Sequence, residues 1–367
     1  MKASTAERWL SLFILPSLNL LTAFFFTALI LLITNVNPIE AAHYMIQGAF
    51  GSQEGWGYTL YYTTNFIFTG LAVAIAFHAG LFNIGGEGQA YIGGLGVTLV
   101  ALGLSPYLPA LIVIPLSIIA GALFGAAWAA IPGYLQAYRD SHIVITTIMF
   151  NFIAASLMVY LLVNVFAVPG EMTPASRSFP DDIKLWQWHE FMGFFGVDFD
   201  SSPLNISLLL ALLCCYGVWF LLWKTRWGYE IRTVGANPDA AIYAGINPRK
   251  IWVLAMLLGG ALAGLVSVNE LLGVQHRLVL GFNAGYGFAG IAVALMGRNH
   301  PIGIILAALL FGALYQGGAE LAFEMPNVTR DMVIVIQGLI ILFSGAMEFM
   351  YQPLVRRLLW RWVRAGA

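Results

Sequence analysis

IVITTIMFNFIAASLMVYLLVNVFAV, the run from Ile143 to Val168, contains no Asp, Glu, Lys or Arg. A helix needs about 20 mainly apolar residues to cross a bilayer, and this run exceeds that length. Lipid is the solvent it fits. The rest of the chain agrees, since 60% of its 367 residues are apolar and only 10% are charged. Soluble proteins of this size carry roughly a quarter charged residues, too many for such a chain to imitate.

Working outward from Ile143–Val168, comparable stretches lie near 11–34, 59–79, 87–104, 108–131, 204–223, 251–271, 284–297, 302–320 and 332–351. The expected fold is therefore an all-α polytopic membrane protein of about ten transmembrane helices. It forms a single transmembrane domain over 1–367, embedded from about 11 to 351. The first stretch follows Lys2 and Arg8 and is longer than the apolar core of a cleaved signal peptide, so it reads as a span that stays.

Ten spans place both ends on one side, and basic residues concentrate on the cytoplasmic side. With the N-terminus inside, the inside set is Lys2, Arg8, Arg139, Lys224, Arg226, Arg232, Arg249, Lys250, Arg298, Arg356, Arg357, Arg361 and Arg364. Outside remain Arg177, Lys184, Arg277 and Arg330. Thirteen against four fixes the expected orientation, with both termini cytoplasmic and a basic tail at 352–367. The loop 169–203 then falls outside, with Glu171, Asp181, Asp182, Glu190, Asp198 and Asp200 against two basic residues. Those acids are either solvated or available to an extracellular delivery protein. The basic loop 224–250 falls inside. Spans two to five and seven to ten form four-helix blocks that enter from opposite sides, which reads as an inverted repeat.

Several chemistries are excluded. A net charge of −1 offers nucleic acid no basic face. No Gly-Lys dipeptide occurs, so there is no phosphate-binding loop of the G-x-x-x-x-G-K-[ST] type, and any ATP site belongs to another polypeptide. No catalytic pair is visible. The adjacent Cys214 and Cys215 fit apolar filler better than a disulfide. No metal or cofactor is expected. Ionisable residues within or near the spans are few, namely His78, Glu87, Glu270, Glu320 and Glu348. Proton- or sodium-coupled carriers bury carboxylates mid-span, so this scarcity weighs against an ATP-independent carrier or channel, which stays as an alternative.

The inside loop contains Asn237-Pro-Asp-Ala-Ala-Ile-Tyr-Ala-Gly245. Asn237 suits an N-cap, Pro238 the first helical position, Asp239 the positive helix end, and Gly245 the left-handed residue that closes a helix. The pattern predicts a two-turn helix through Ala240, Ala241, Tyr243 and Ala244. It is either a docking helix for a motor subunit or a capped interfacial turn. In Gly80-Leu-Phe-Asn-Ile-Gly-Gly-Glu-Gly-Gln89, Asn83 is expected to cap the third span, with Glu87 in its first turn; the alternative is a role in a gate or solute path. Candidates for such a path are Asn83, Glu87, Gln89, Asn151, Gln275, His276, Asn283 and Tyr286, with Phe82, Tyr91 or Phe152 stacking on a ring. An interhelical hydrogen bond is the simpler account of each alone. Gly121-x-x-x-Gly125 and Gly260-x-x-x-Gly264 are helix-packing signals.

Gly80–Gln89, Ile145-Thr-Thr-Ile-Met-Phe-Asn151, Val234-Gly-Ala-Asn-Pro-Asp-Ala-Ala-Ile-Tyr-Ala-Gly-Ile246 and Gly290-Ile-Ala-Val-Ala-Leu-Met-Gly297 resemble permease subunits of the branched-chain amino acid/simple sugar/nucleoside ABC importers. The likeness is nearest to the nucleoside type that works with basic-membrane-lipoprotein-type binding proteins. The resemblance implies a bacterial inner-membrane permease paired with a second permease, either a paralogue or the same chain. It further implies cytosolic ABC ATPase subunits and a periplasmic or lipid-anchored solute-binding protein. It assigns Asn237–Gly245 as the coupling helix and a nucleoside or purine as the solute, with a simple sugar as the alternative.

Overall fold

The computed structural model describes residues 15–346. The expectations for Lys2, Arg8, Glu348 and the basic tail at 352–367 lie outside the described residues. Among those described, the regular structure is helical and no strand forms; two isolated bridges, Ala175 with Val279 and Gln187 with Asn205, are the only extended pairings.

The helices in order are α1 (Leu15–Ile33), α2 (Pro38–Phe50), α3 (Gln53–His78), α4 (Gly86–Leu104), α5 (Ala110–Arg139), α6 (Ile143–Asn164), α7 (Trp188–Gly193), α8 (Ser207–Lys224), α9 (Arg226–Ala236), α10 (Pro238–Tyr243), α11 (Pro248–Gly264), α12 (Tyr286–Met296), α13 (Pro301–Glu324) and α14 (Arg330–Ala346). A π-helical segment, Val268–Gln275, prolongs α11.

Within the described residues, each apolar stretch of the sequence falls on one of these helices or on the π extension. Six are long and apolar enough to cross a membrane unaided, namely α3, α5, α6, α8, α11 with its π extension, and α13. The pair α1 and α2, bent by 118°, makes a seventh if it counts as one span. The rest of the expected ten fall short for physical reasons. Glycine adds no hydropathy to α4, α12 has only 11 residues, and α14 shows 17 within the described part.

Two compact units divide the chain, Gln53–Gly312 and the described parts of Met1–Ser52 and Ala313–Ala367. In the first, α3 and α11 are largely enclosed, while α5, α6 and α8 leave most of their surface outward. Side chains such as Leu111, Leu123, Ile145 and Leu213 are exposed there, a surface that suits lipid. The two small-residue signals meet, since the bare backbone of Gly125 sits against Gly260 and Gly264, and Gly121 lies against Gly264. Gly93 of α4 presses on Gly264 as well, so three helices converge where any side chain would hold them apart.

Two threonines buried in this unit bond back along their own helices. Thr63 donates to the Thr59 carbonyl at 2.7 Å and Thr98 to the Gly94 carbonyl at 2.8 Å. Such bonds satisfy groups that lipid cannot. In the second unit α1 packs on α14, with Phe26 and Phe343 stacked at 4.6 Å. Asn37 caps α2 by accepting from the Ile39 amide, which sets the sharp turn out of α1.

Candidate functional site

The Asn237–Gly245 motif folds as its punctuation predicts. Asn237 is extended, and its side-chain oxygen accepts from the amides of Asp239 at 2.9 Å and Ala240 at 3.0 Å. Pro238 occupies the first turn of α10 and Gly245 is left-handed at φ +76°. The Ile246 amide reaches back to the Ala241 carbonyl at 2.9 Å, which closes the helix as a Schellman cap. Asn247 starts α11 in the same manner, accepting from Arg249 and Lys250.

Only Ala241 of α10 is buried, while Ile242 is exposed and Tyr243 is 95% exposed. Beside α10 an open groove of about 620 Å³ runs between Ala137, Asp140, Asp239, Ile242, Arg249 and Trp252.

The polar candidates in the membrane-spanning part sort into three places. Asn83, Glu87, Gln89, Asn151 and Asn283 converge at the start of α4. Asn83 and Gln89 pair through their amides at 3.2 Å in both directions. Asn151 of α6 accepts from the Gly88 amide and donates to the Ile84 carbonyl, each at 2.9 Å, so it holds both sides of the turn into α4. The expected capping scheme is corrected here. Asn83 accepts from the Gly85 amide at 2.8 Å, ahead of the helix, and makes no cap bond to α4. Glu87 turns away from its own helix, and its two carboxylate oxygens accept from Gly285 at 3.0 Å and Gly287 at 2.9 Å, the amides that open α12. Asn283 returns a bond to the Glu87 carbonyl at 3.1 Å. Gly86 and Gly287 touch backbone to backbone at this point.

Tyr286 belongs to a second cluster that sequence reasoning did not assemble. Its ring packs edge-on against Phe66 at 5.5 Å, and it bonds the Glu270 carboxylate. Glu270 sits in the π-helical segment and is buried. Its Oε1 accepts from the Tyr61 hydroxyl at 2.5 Å and the Asn65 amide at 2.6 Å. The neighbouring Asn269 accepts from Asn205 and Ser207 at 2.8 Å and donates to Asn65 at 2.9 Å. The signal available in the sequence was the polar pair Asn269-Glu270 inside an apolar run. Its partners on α3 and at the start of α8 are remote in sequence.

Gln275 and His276 lie apart from both clusters, at the end of the π segment and under the loop that precedes α7. The Phe179 amide bonds the His276 carbonyl at 2.7 Å and the Leu185 amide the Leu272 carbonyl at 2.9 Å. Burial pushes the His276 imidazole below its usual pKa, and the nearby Lys184 adds to the shift. Lys184 also pairs with Asp181 and holds that carboxyl below the usual range. Of the aromatic candidates, Tyr91 accepts from the Gly281 amide at 2.7 Å and packs on Phe282, whereas Phe82 packs on Phe77. Phe152 is 65% exposed on the outer face of α6 and joins neither cluster.

The profile of the family described as the branched-chain amino acid transport system / permease component matches residues 55–345. The glucose ABC transporter permease protein of Haloferax volcanii is 36% identical over 353 residues, covering 94% of this chain and 90% of that one. The guanosine ABC transporter permease protein of Bacillus subtilis is 35% identical, covering 95% of this chain and 98% of its own. The nucleoside ABC transporter permease protein of Lactococcus lactis subsp. cremoris is also 35% identical, covering 93% of each. No solved structure matches.

Proposed function

This chain belongs to the permease-component family of branched-chain amino acid transport systems, and we propose that it is the membrane-spanning subunit of an ABC importer that carries a nucleoside or purine. The observation that carries the reading is α10, a doubly punctuated helix with Ile242 and Tyr243 turned outward in the most basic loop of the chain. A permease without a phosphate-binding loop needs its force delivered from a separate ATPase, and an exposed short helix is a fit element to receive it. The solute assignment is supported by two relatives named for guanosine and nucleoside transport at 35% identity over nearly whole chains. A sugar is the second reading, favoured by the glucose permease of Haloferax volcanii at 36%.

The proposed arrangement keeps about ten spans, both termini cytoplasmic, and a single permease domain in the bacterial inner membrane. An inverted repeat is supported within residues 53–312, where α3 packs on α12 and α11 packs on α4, the exchange that a pseudo-two-fold axis produces. The starts of α4 and α12 meet at Gly86 and Gly287, where such an axis would pass. Partners are a cytosolic ATPase at α10, a second permease, and a solute-binding protein at the outer loop. Asn83, Glu87, Gln89, Asn151 and Asn283 form the polar part of the solute path.

The test is uptake by the complete complex in proteoliposomes. ATP-dependent accumulation of radiolabelled guanosine, competed by nucleosides and not by glucose, is expected. Accumulation of glucose instead selects the sugar reading, and uptake by the isolated chain without ATP refutes an ATP-driven permease.

A further inference from the structure

The two short glycine-led helices of the first unit begin at the same point. Glu87, in the opening turn of α4, spends both carboxylate oxygens on the amides that open α12. Asn283, just ahead of α12, bonds back to the Glu87 carbonyl. The positive ends of two helices thus share one carboxylate, which is how they can face each other without an intervening anion. Neither helix can separate from the other while these three bonds stand.

The segment that leads into this junction is itself held from the cytoplasmic end. Gly80 is left-handed at φ +75° and closes α3. The bare backbone of Gly235, in α9, lies against the His78 carbonyl and the Gly80 amide, closer than any side chain would allow. From the other side the Trp252 indole of α11 donates to the Ala79 carbonyl at 3.2 Å. The helices α9 and α11 are the two that flank α10. In the short segment Leu81–Gly85 that follows the turn, Asn83 pairs with Gln89 of α4, and Asn151 bonds both Ile84 and Gly88, so a displacement of the turn is carried to Glu87.

Resting on the importer reading above, we propose that the α4–α12 junction is the transport gate, with Glu87 as its latch and the Ala79–Gly80 turn as the joint through which α10 moves it. Force on α10 shifts α9 and α11 together. The turn follows, α4 is drawn from α12, and a polar passage lined by the freed Gly285 and Gly287 amides and the Glu87 carboxylate opens between them. Those groups can bond the hydroxyls or ring N–H groups of a polar solute while it passes.

The experiment uses the full complex with its ATPase and second permease in proteoliposomes, with Cys214 and Cys215 replaced by serine. Spin labels at Phe82→Cys and Phe288→Cys report the separation of the two helix starts. In the vanadate-trapped state the distance is expected to lengthen relative to the nucleotide-free state. In Gly235→Val, whose side chain wedges the joint apart, the ATPase stays bound and hydrolyses ATP but the lengthening disappears. An unchanged distance in a complex that transports guanosine, or full lengthening in Gly235→Val, overturns the proposal.

Glu87→Gln supplies an independent readout, because it keeps the shape and gives up the charge and one acceptor. Guanosine moved per ATP is expected to fall about fivefold, the scale of a modest coupling energy, with ATP-independent leak of guanosine rising in step. Wild-type coupling and wild-type leak in this variant remove the latch. If no ATPase associates with the wild-type chain, the importer reading itself fails and takes the gate with it.

Discussion

Glu270 shows how a carboxylate persists inside an apolar bundle. Three donors reach it, the Tyr61 hydroxyl and the Asn65 amide on Oε1 and the Tyr286 hydroxyl as well. The cost of removing it therefore depends on what is left behind. Glu270→Ala strands all three donors and is expected to lower unfolding free energy by about 1–3 kcal/mol. Glu270→Gln retains an oxygen in the Oε1 position and is expected to cost less than half of that. Thermal unfolding of the two detergent-solubilised variants decides it; equal losses would mean that the charge, rather than the acceptor, holds the cluster. Asn151→Ala is the parallel case at the other cluster. It leaves the Gly88 amide and the Ile84 carbonyl without partners, and a loss of about 1–3 kcal/mol is expected. An unchanged melting temperature would show that the turn into α4 does not depend on that amide.

Helices with local punctuation were legible before any fold was known. Asn237, Pro238 and Gly245 each act within three residues of themselves, so their roles in α10 follow from spacing alone. Gly121, Gly125, Gly260 and Gly264 were legible as packing residues for a similar reason, though that the two pairs face each other was not. What could not be read was any bond spanning the fold. Glu87 looked like the first-turn acid of α4, yet it serves α12, some 200 residues away in sequence. The π turn after α11 and the bend between α1 and α2 were equally hidden, because hydropathy reports how apolar a stretch is and not how its backbone is wound. Two element-level outcomes are expected. Gly264→Leu drives a side chain into α5 and α4 and should cost about 1–3 kcal/mol or more, read as lost assembly or a lowered melting temperature. Asn237→Ala should loosen α10 by about 1 kcal/mol, read as reduced coupling of ATP hydrolysis to uptake with normal membrane insertion. Normal coupling in that variant would show that the helix does not need its cap to work.

For the molecule as a whole, the apolar surface, the basic loop and the missing phosphate-binding loop converge on one division of labour. On the proposed reading the bundle provides a path and α10 accepts motion made by another subunit. Two requirements follow, that α10 lies in the cytosol and that it touches the motor. A single cysteine at Tyr243, in a background without Cys214 and Cys215, tests both in one preparation. The expected result is maleimide labelling only from the cytoplasmic side, suppressed when the ATPase is bound, with a short bifunctional reagent joining the two polypeptides. Labelling from the periplasmic side, or cytoplasmic labelling that the bound ATPase leaves untouched, would contradict the account.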